Sequence, residues 1–152
     1  MTLFERVREY LRRRKPLAKD AKGEPADLEL EVAAAVLLLE AAYGDEEYVW
    51  REERVLVHGL ERAFGIGRKE VRELIGRAEK IRPPVVQLAD VTKLLAERYD
   101  LEQRKQILEL LWRVIEADRT VVPWESAFAQ HVTGALGLTP EHGDEVRARA
   151  SR

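Results

Sequence analysis

The apolar residues of this chain recur at spacings of three and four along most of its length, and no stretch alternates with the period of two that a half-buried strand requires. Strand content is therefore expected to be near zero. From Asp27, a suitable N-cap, a helix is expected to about Tyr43, with Leu28, Val32, Ala35, Leu39 and Ala42 on one face and Val36, Leu37 and Leu38 on others. Being apolar nearly all round, it belongs at the centre. The next, from about Val49 to Phe64, turns Leu56, Val57, Leu60, Ala63 and Phe64 inward and stops at Gly65, which suits a left-handed C-terminal cap. A further helix from Gly67 to about Ile81 carries Val71, Leu74, Ile75 and Ala78. Pro83 and Pro84 break it and are expected to open another, with Val85, Leu88, Val91, Leu95 and Tyr99 on one stripe. Asp100 with Gln103 resembles a capping box and starts a helix holding Leu101, Ile107, Leu108, Leu110, Leu111, Val114 and Ile115. That helix is apolar on too many faces for the surface and should pack against the one beginning at Asp27. A helix from about Pro123 carries Trp124, Phe128, Val132, Ala135 and Leu136 and stops at Gly137. Thr139 and Pro140 propose a last short helix with Val146 as its one anchor, a tail expected to fray.

The N-terminal 22 residues differ from the rest, with Arg6, Arg8, Arg12, Arg13, Arg14, Lys15, Lys19 and Lys22 against Glu5, Glu9 and Asp20. Leu3, Val7, Tyr10 and Leu11, with Phe4 beside them, mark a basic amphipathic helix ending near Lys15, because Pro16 cannot continue it. A linker follows from Pro16 to Pro25. Arginine interrupts the apolar residues every turn, so the segment does not read as a secretion signal. The chain thus divides into a basic helix and linker over 1–22, a helical domain over 23–139, and a tail or short helix over 140–152.

A duplication organises the domain. Glu53, Leu60, Phe64, Gly65 and Ile66 answer to Glu125, Val132, Leu136, Gly137 and Leu138 at a constant offset of 72 residues, while Asp45 answers to Asp118 at 73. One helix hairpin is written twice, the first loop holding one extra residue. Neither copy can bury its apolar face alone, so the two are expected to pack together about a pseudo-twofold axis.

Composition narrows the function. The 152 residues are 45% hydrophobic and 36% charged, enough for a real core. With 26 basic against 28 acidic residues and a formal net charge of −2, no nucleic-acid partner is expected. The absence of cysteine excludes a disulfide scaffold, thiolate metal sites and cysteine catalysis, and suits a cytoplasmic protein. The longest apolar run, Val32 to Leu39, falls far short of the roughly 20 residues of a spanning helix.

Catalytic patterns are missing. His58, His131 and His142 do not stand three residues after a glutamate, so the Glu-x-x-His pair of di-iron bundles is absent, as are His-Glu-x-x-His and a phosphate-binding glycine loop. Ser126 and Ser151 lie in no nucleophile-elbow context. His131, beside Phe128 and Val132, reads as a partly buried, hydrogen-bonded histidine, and Trp50, Trp112 and Trp124 as packing residues. The acids are more informative. Asp45, Glu46, Glu47, Glu52 and Glu53 crowd the first copy's turn, and Glu116, Asp118 and Glu125 the second's. They can simply stabilise helix N-termini, by roughly 0.3–1 kcal/mol each, or form an oxygen-rich pocket for calcium or magnesium, although the 12-residue calcium-loop pattern is absent. The basic segment over residues 3–15 has two readings of its own: docking on the bundle, or lying on an anionic membrane surface.

These landmarks together resemble the tellurite-resistance TerB family. They are the run Ala33 to Leu39, the acidic loop and Glu53, Phe64-Gly65-Ile66, Tyr99-Asp100, Leu110 to Val114, Ala117-Asp118, Glu125 and Leu136-Gly137-Leu138, spanning about residues 27–139. The resemblance implies an all-α TerB-like bundle of about seven to eight helices built from two pseudo-twofold-related hairpin halves. It also implies a non-catalytic module of bacterial tellurite-resistance and stress-response systems, with other stress-response proteins, some membrane-linked, as partners. A divalent cation would be held by Asp45, Glu52 and Glu53 in the first half and by Asp118 and Glu125 in the second. The family's Ala-Asp-Gly turn is altered in both: Arg119 replaces the glycine in one, and Tyr43-Gly44-Asp45 stands in its place in the other.

Overall fold

The computed structural model describes residues 2–6, 16–43, 50–118 and 123–151, and for residues 50–52 and 118 the backbone alone. Its helices are α1 (Leu28–Tyr43), α2 (Trp50–Phe64), α3 (Arg68–Lys80), α4 (Leu88–Arg98), α5 (Leu101–Ile115), α6 (Pro123–Ala135) and α7 (Pro140–Ala150), with a 3-10 turn at Glu116–Asp118. Residues 3–6 are helical too, and the remainder of the expected basic helix, residues 7–15, lies outside the described residues. Among the described residues the sole β feature is an isolated bridge between Lys19 and Pro25. The fold is all-α.

Why α1 is central follows from its composition. Every residue from Ala33 to Leu39 is buried, and the helix touches α2, α3, α4 and α5. A fully buried leucine contributes roughly 1.5–3 kcal/mol, so Leu30, Leu37, Leu38 and Leu39 make this helix the bundle's main adhesive. The second such helix, α5, packs on α1, as its pattern requires, and also on α2, α6 and α7. Around α1, helices α2 and α3 also touch each other; around α5, so do α6 and α7. Helix α4 lies against α1 and α6.

The caps match the expected boundaries. Asp27 Oδ1 accepts from the Leu30 N–H at 2.9 Å. Asp100 and Gln103 form both bonds of the capping box, at 2.9 and 3.0 Å. Gly65 and Gly137 end α2 and α6 at φ of 64° and 74°, a region that side chains with a Cβ disfavour.

Several expectations are corrected. Pro83 and Pro84 do not open α4; residues 81–86 form turns, the Pro83–Pro84 bond is cis, and α4 starts at Leu88 after the N-cap Gln87. A residue preceding proline is driven out of the helical region, so Pro83 cannot begin a helix while Pro84 follows. Val85, placed on the inward stripe by spacing, is 70% exposed. The C-terminal tail does not fray. Thr139 and His142 form a capping box that starts α7, Val146 is fully buried, and the Arg147 guanidinium lies 4.3 Å over the Trp112 ring. Lys105 and Arg149 add bonds to Glu145 at 3.2 and 2.7 Å. The fully buried Val146 supplies the apolar part of the docking, and these pairs, in which Lys105 is buried, and the Arg147–Trp112 contact add to it. His131 and Trp124 are exposed, the latter stacked on Phe128 at 5.1 Å, because the inner face of α6 is taken by Glu125, Ala129 and Val132.

The stretch from Pro16 to Pro25 is a tied strap. The Tyr99 hydroxyl donates to the Leu17 carbonyl at 2.6 Å, and the buried Gln103 amide donates to the carbonyls of Pro16 and Lys19 at 3.0 and 2.7 Å. Burial drives the Tyr99 phenol well above its ordinary pKa, so it stays a donor. Asp20 accepts from the Lys22 and Glu24 N–H groups and pairs with Arg98, which reaches Asp27 as well. Burial alone would raise the Asp20 pKa, but those backbone bonds and Arg98 outweigh it and hold it below the ordinary value. Asp27 is likewise lowered, chiefly by the Leu30 N–H.

Candidate functional site

The first acidic turn joins α1 to α2. Asp45, Glu46 and Glu47 lie outside the described residues, as does the side chain of Glu52. Glu53, one helical turn into α2, is exposed. It lines a groove of about 670 Å³ between α2 and α3 together with Arg54, His58, Glu61, Arg68 and Arg72. Arg68 Nε sits 3.5 Å from Glu61 Oε1. At the end of α1, Arg82 lies 3.9 Å over the Tyr43 ring and donates to Glu40 at 2.6 Å. Partial burial raises the Tyr43 phenol pKa, with Glu79 and, more weakly, Glu53 adding to the effect and Arg82 opposing it. The surroundings of Glu53 thus mix carboxylates with arginines.

The second turn is built differently. Asp118 ends the 3-10 turn, which packs against α2 and α5, and its side chain lies outside the described residues. Glu125, on the first turn of α6 after Pro123, is only 7% exposed. The two glutamates that share a position in the duplicated pattern therefore occupy opposite environments: one meets solvent, the other faces the interior.

Fit to a divalent cation is poor at the donors that are described. Calcium and magnesium take six or more oxygens, yet among the described residues no three histidine, aspartate or glutamate side chains converge. Three arginines beside Glu53 oppose a cation electrostatically. Sequence reasoning set Arg51 and Arg54 against the acids and missed Arg68 and Arg72, which come from the following helix.

Another cleft, of about 730 Å³, lies between α2 and α5 and is lined by Leu17, His58, Arg62, Glu116 and Ser151 among others. Serine, histidine and glutamate here do not form a nucleophilic relay. The Ser151 hydroxyl lies 3.1 Å from Glu116 Oε2 and 3.1 Å from the Arg147 carbonyl, closing the end of α7. Nor does the bundle hold a membrane span: no helix among the described residues is long and apolar enough to cross one.

A bundle of this kind, built around two apolar helices, α1 and α5, is an all-α helical domain. The family described as "Tellurite resistance protein TerB" matches residues 31–148. The chain belongs to the TerB family. It is similar in fold to a crystal structure of a "Protein of Unknown Function PG1108 from Porphyromonas gingivalis W83", with a TM-score of 0.64 and 18% identity over 84% of this chain and 91% of that one. No curated protein matches.

Proposed function

We propose that this chain is a non-catalytic TerB-type module of a bacterial tellurite-resistance and stress-response system, working in the cytoplasm through contacts with other proteins of that system. Membership of the TerB family over residues 31–148 is the observation that carries this reading. The arginines around Glu53 favour protein contacts over ion chemistry. The duplicated landmarks support two related halves, α1–α3 and α5–α7, whose helices pack in the same pairwise pattern. Deleting the gene should lower the host's tolerance of tellurite, and the intact chain should restore it; unchanged tolerance would remove tellurite from the reading.

A second reading keeps support from the density of acids at the first turn and the accessibility of Glu53: a divalent cation held weakly by Asp45, Glu52 and Glu53. At the second turn, with Asp118 and Glu125, the Glu125 carboxylate is buried and poorly accessible to a hydrated ion, so the cation is placed at the first turn. Calorimetric titration with calcium, magnesium and manganese separates the two. The adaptor reading expects no heat from any of them. Heat that disappears in Glu53→Ala would establish the cation instead.

A further inference from the structure

Three of the six large apolar side chains that are exposed among the described residues bear on one feature. Leu28 lines a groove between α1 and α4, and Leu3 and Phe4 lie on the N-terminal segment, while Val85, Leu101 and Trp124 line no part of that groove. The groove, of about 670 Å³, has a floor that includes Leu28, Val32, Ile81, Val86 and Leu94. Its rim is acidic: Glu29, Asp90 and Glu97 against Lys93. The N-terminal segment is its chemical complement. Leu3 and Phe4 are 78% and 69% exposed on a helical turn, and Val7, Tyr10 and Leu11 continue their stripe in the sequence. Over residues 3–15 that stripe is flanked by Arg6, Arg8, Arg12, Arg13, Arg14 and Lys15 against only Glu5 and Glu9.

We propose that the α1–α4 groove binds the basic N-terminal segment of a second copy of this chain, so that two copies exchange segments reciprocally. An amphipathic helix laid into an apolar groove gains from burial of its stripe, and opposite charges on rim and flanks set its orientation and speed its encounter. A second copy is the better donor than the same chain. The segment joins the bundle at Pro16 and Leu17, and Leu17 is held by Tyr99 and lines the cleft between α2 and α5, not this groove. Reciprocal exchange also closes the assembly at two copies, as an isologous dimer.

Sedimentation equilibrium of the full chain tests this. The parent should dimerise with concentration, less at high salt because the rim and flank charges are screened. Leu3→Ser with Phe4→Ser should weaken association by about tenfold or more, and so should Asp90→Lys with Glu97→Lys, all four being surface positions whose substitution leaves the helical circular dichroism intact. An equimolar mixture of the two variants should associate more tightly than either alone, because one intact segment meets one intact groove. A monomer at every concentration, or a dimer indifferent to both pairs, would overturn the proposal. So would a monomer that binds phosphatidylcholine vesicles doped with phosphatidylserine and loses them on Leu3→Ser with Phe4→Ser, which would assign the segment to a membrane.

Discussion

Helices α2 and α6, with the turns that end them, carry matching landmarks 72 residues apart, and the apolar ones behave alike while the glutamates do not. Leu60 and Val132 are fully buried, Phe64 and Leu136 are buried beside them, and Gly65 and Gly137 both take positive φ. Glu53 and Glu125 part company, one exposed and one 7% exposed. The third helices differ as well: α7 starts with a full capping box from Thr139, whereas α3 starts at Gly67 with no side-chain cap. Packing thus constrains the apolar frame in both units, and the polar positions are left to acquire separate roles. At this pair of positions Glu125 is buried on α6, whereas Glu53 is exposed on α2.

This contrast can be broken at several levels. The shared frame should be the most sensitive: Leu60→Ala is expected to cost about 2–5 kcal/mol in urea unfolding, and Val132→Ala somewhat less because it deletes a smaller side chain. Equal tolerance of both would deny that these landmarks form the core. At the glycine caps, alanine must adopt a left-handed conformation, costing about 1–2 kcal/mol at either site. Gly137→Ala should cost more than Gly65→Ala, since its added methyl would stand 2.9 Å from Arg104 Nη1, which donates to the Leu136 carbonyl at 2.7 Å, whereas nothing lies within 4 Å at Gly65. Thr139→Ala should cost about 1 kcal/mol by removing the α7 cap, while Gly67, with no side-chain bond to lose, offers no counterpart.

Acid offers a further probe of the strap. Asp20 and Asp27 have folded pKa values below the ordinary 3.8, so their contribution is fully present above that value and is lost as pH falls below it through the folded values. Hydrogen exchange at the Lys22 and Glu24 amides, which donate to Asp20, should accelerate on that acidification before exchange in α1 does. Simultaneous loss would place the strap within the global unfolding unit.

The fold was largely legible because its signals are local. An apolar run such as Ala33 to Leu39, glycines after Phe64 and Leu136, and the Asp100–Gln103 spacing each dictate structure within a turn or two. What escaped was non-local. The strap depends on Tyr99 and Gln103 meeting Pro16 and Leu17 more than 80 residues away, and α7 depends on Lys105 and Trp112 of α5. The candidate site was legible only as a list of acids. Which of them reach solvent is decided by neighbours on other helices, as Arg68 and Arg72 beside Glu53 show.

The separation of the two glutamates can be measured directly by urea unfolding of Glu53→Ala and Glu125→Ala side by side. A buried carboxylate removed from its setting should cost about 1–3 kcal/mol, and an exposed one no more than about 0.5 kcal/mol. Glu125→Ala is therefore expected to unfold at distinctly lower urea while Glu53→Ala overlays the parent. Equal losses, or the larger loss at Glu53, would contradict the contrast between these two positions.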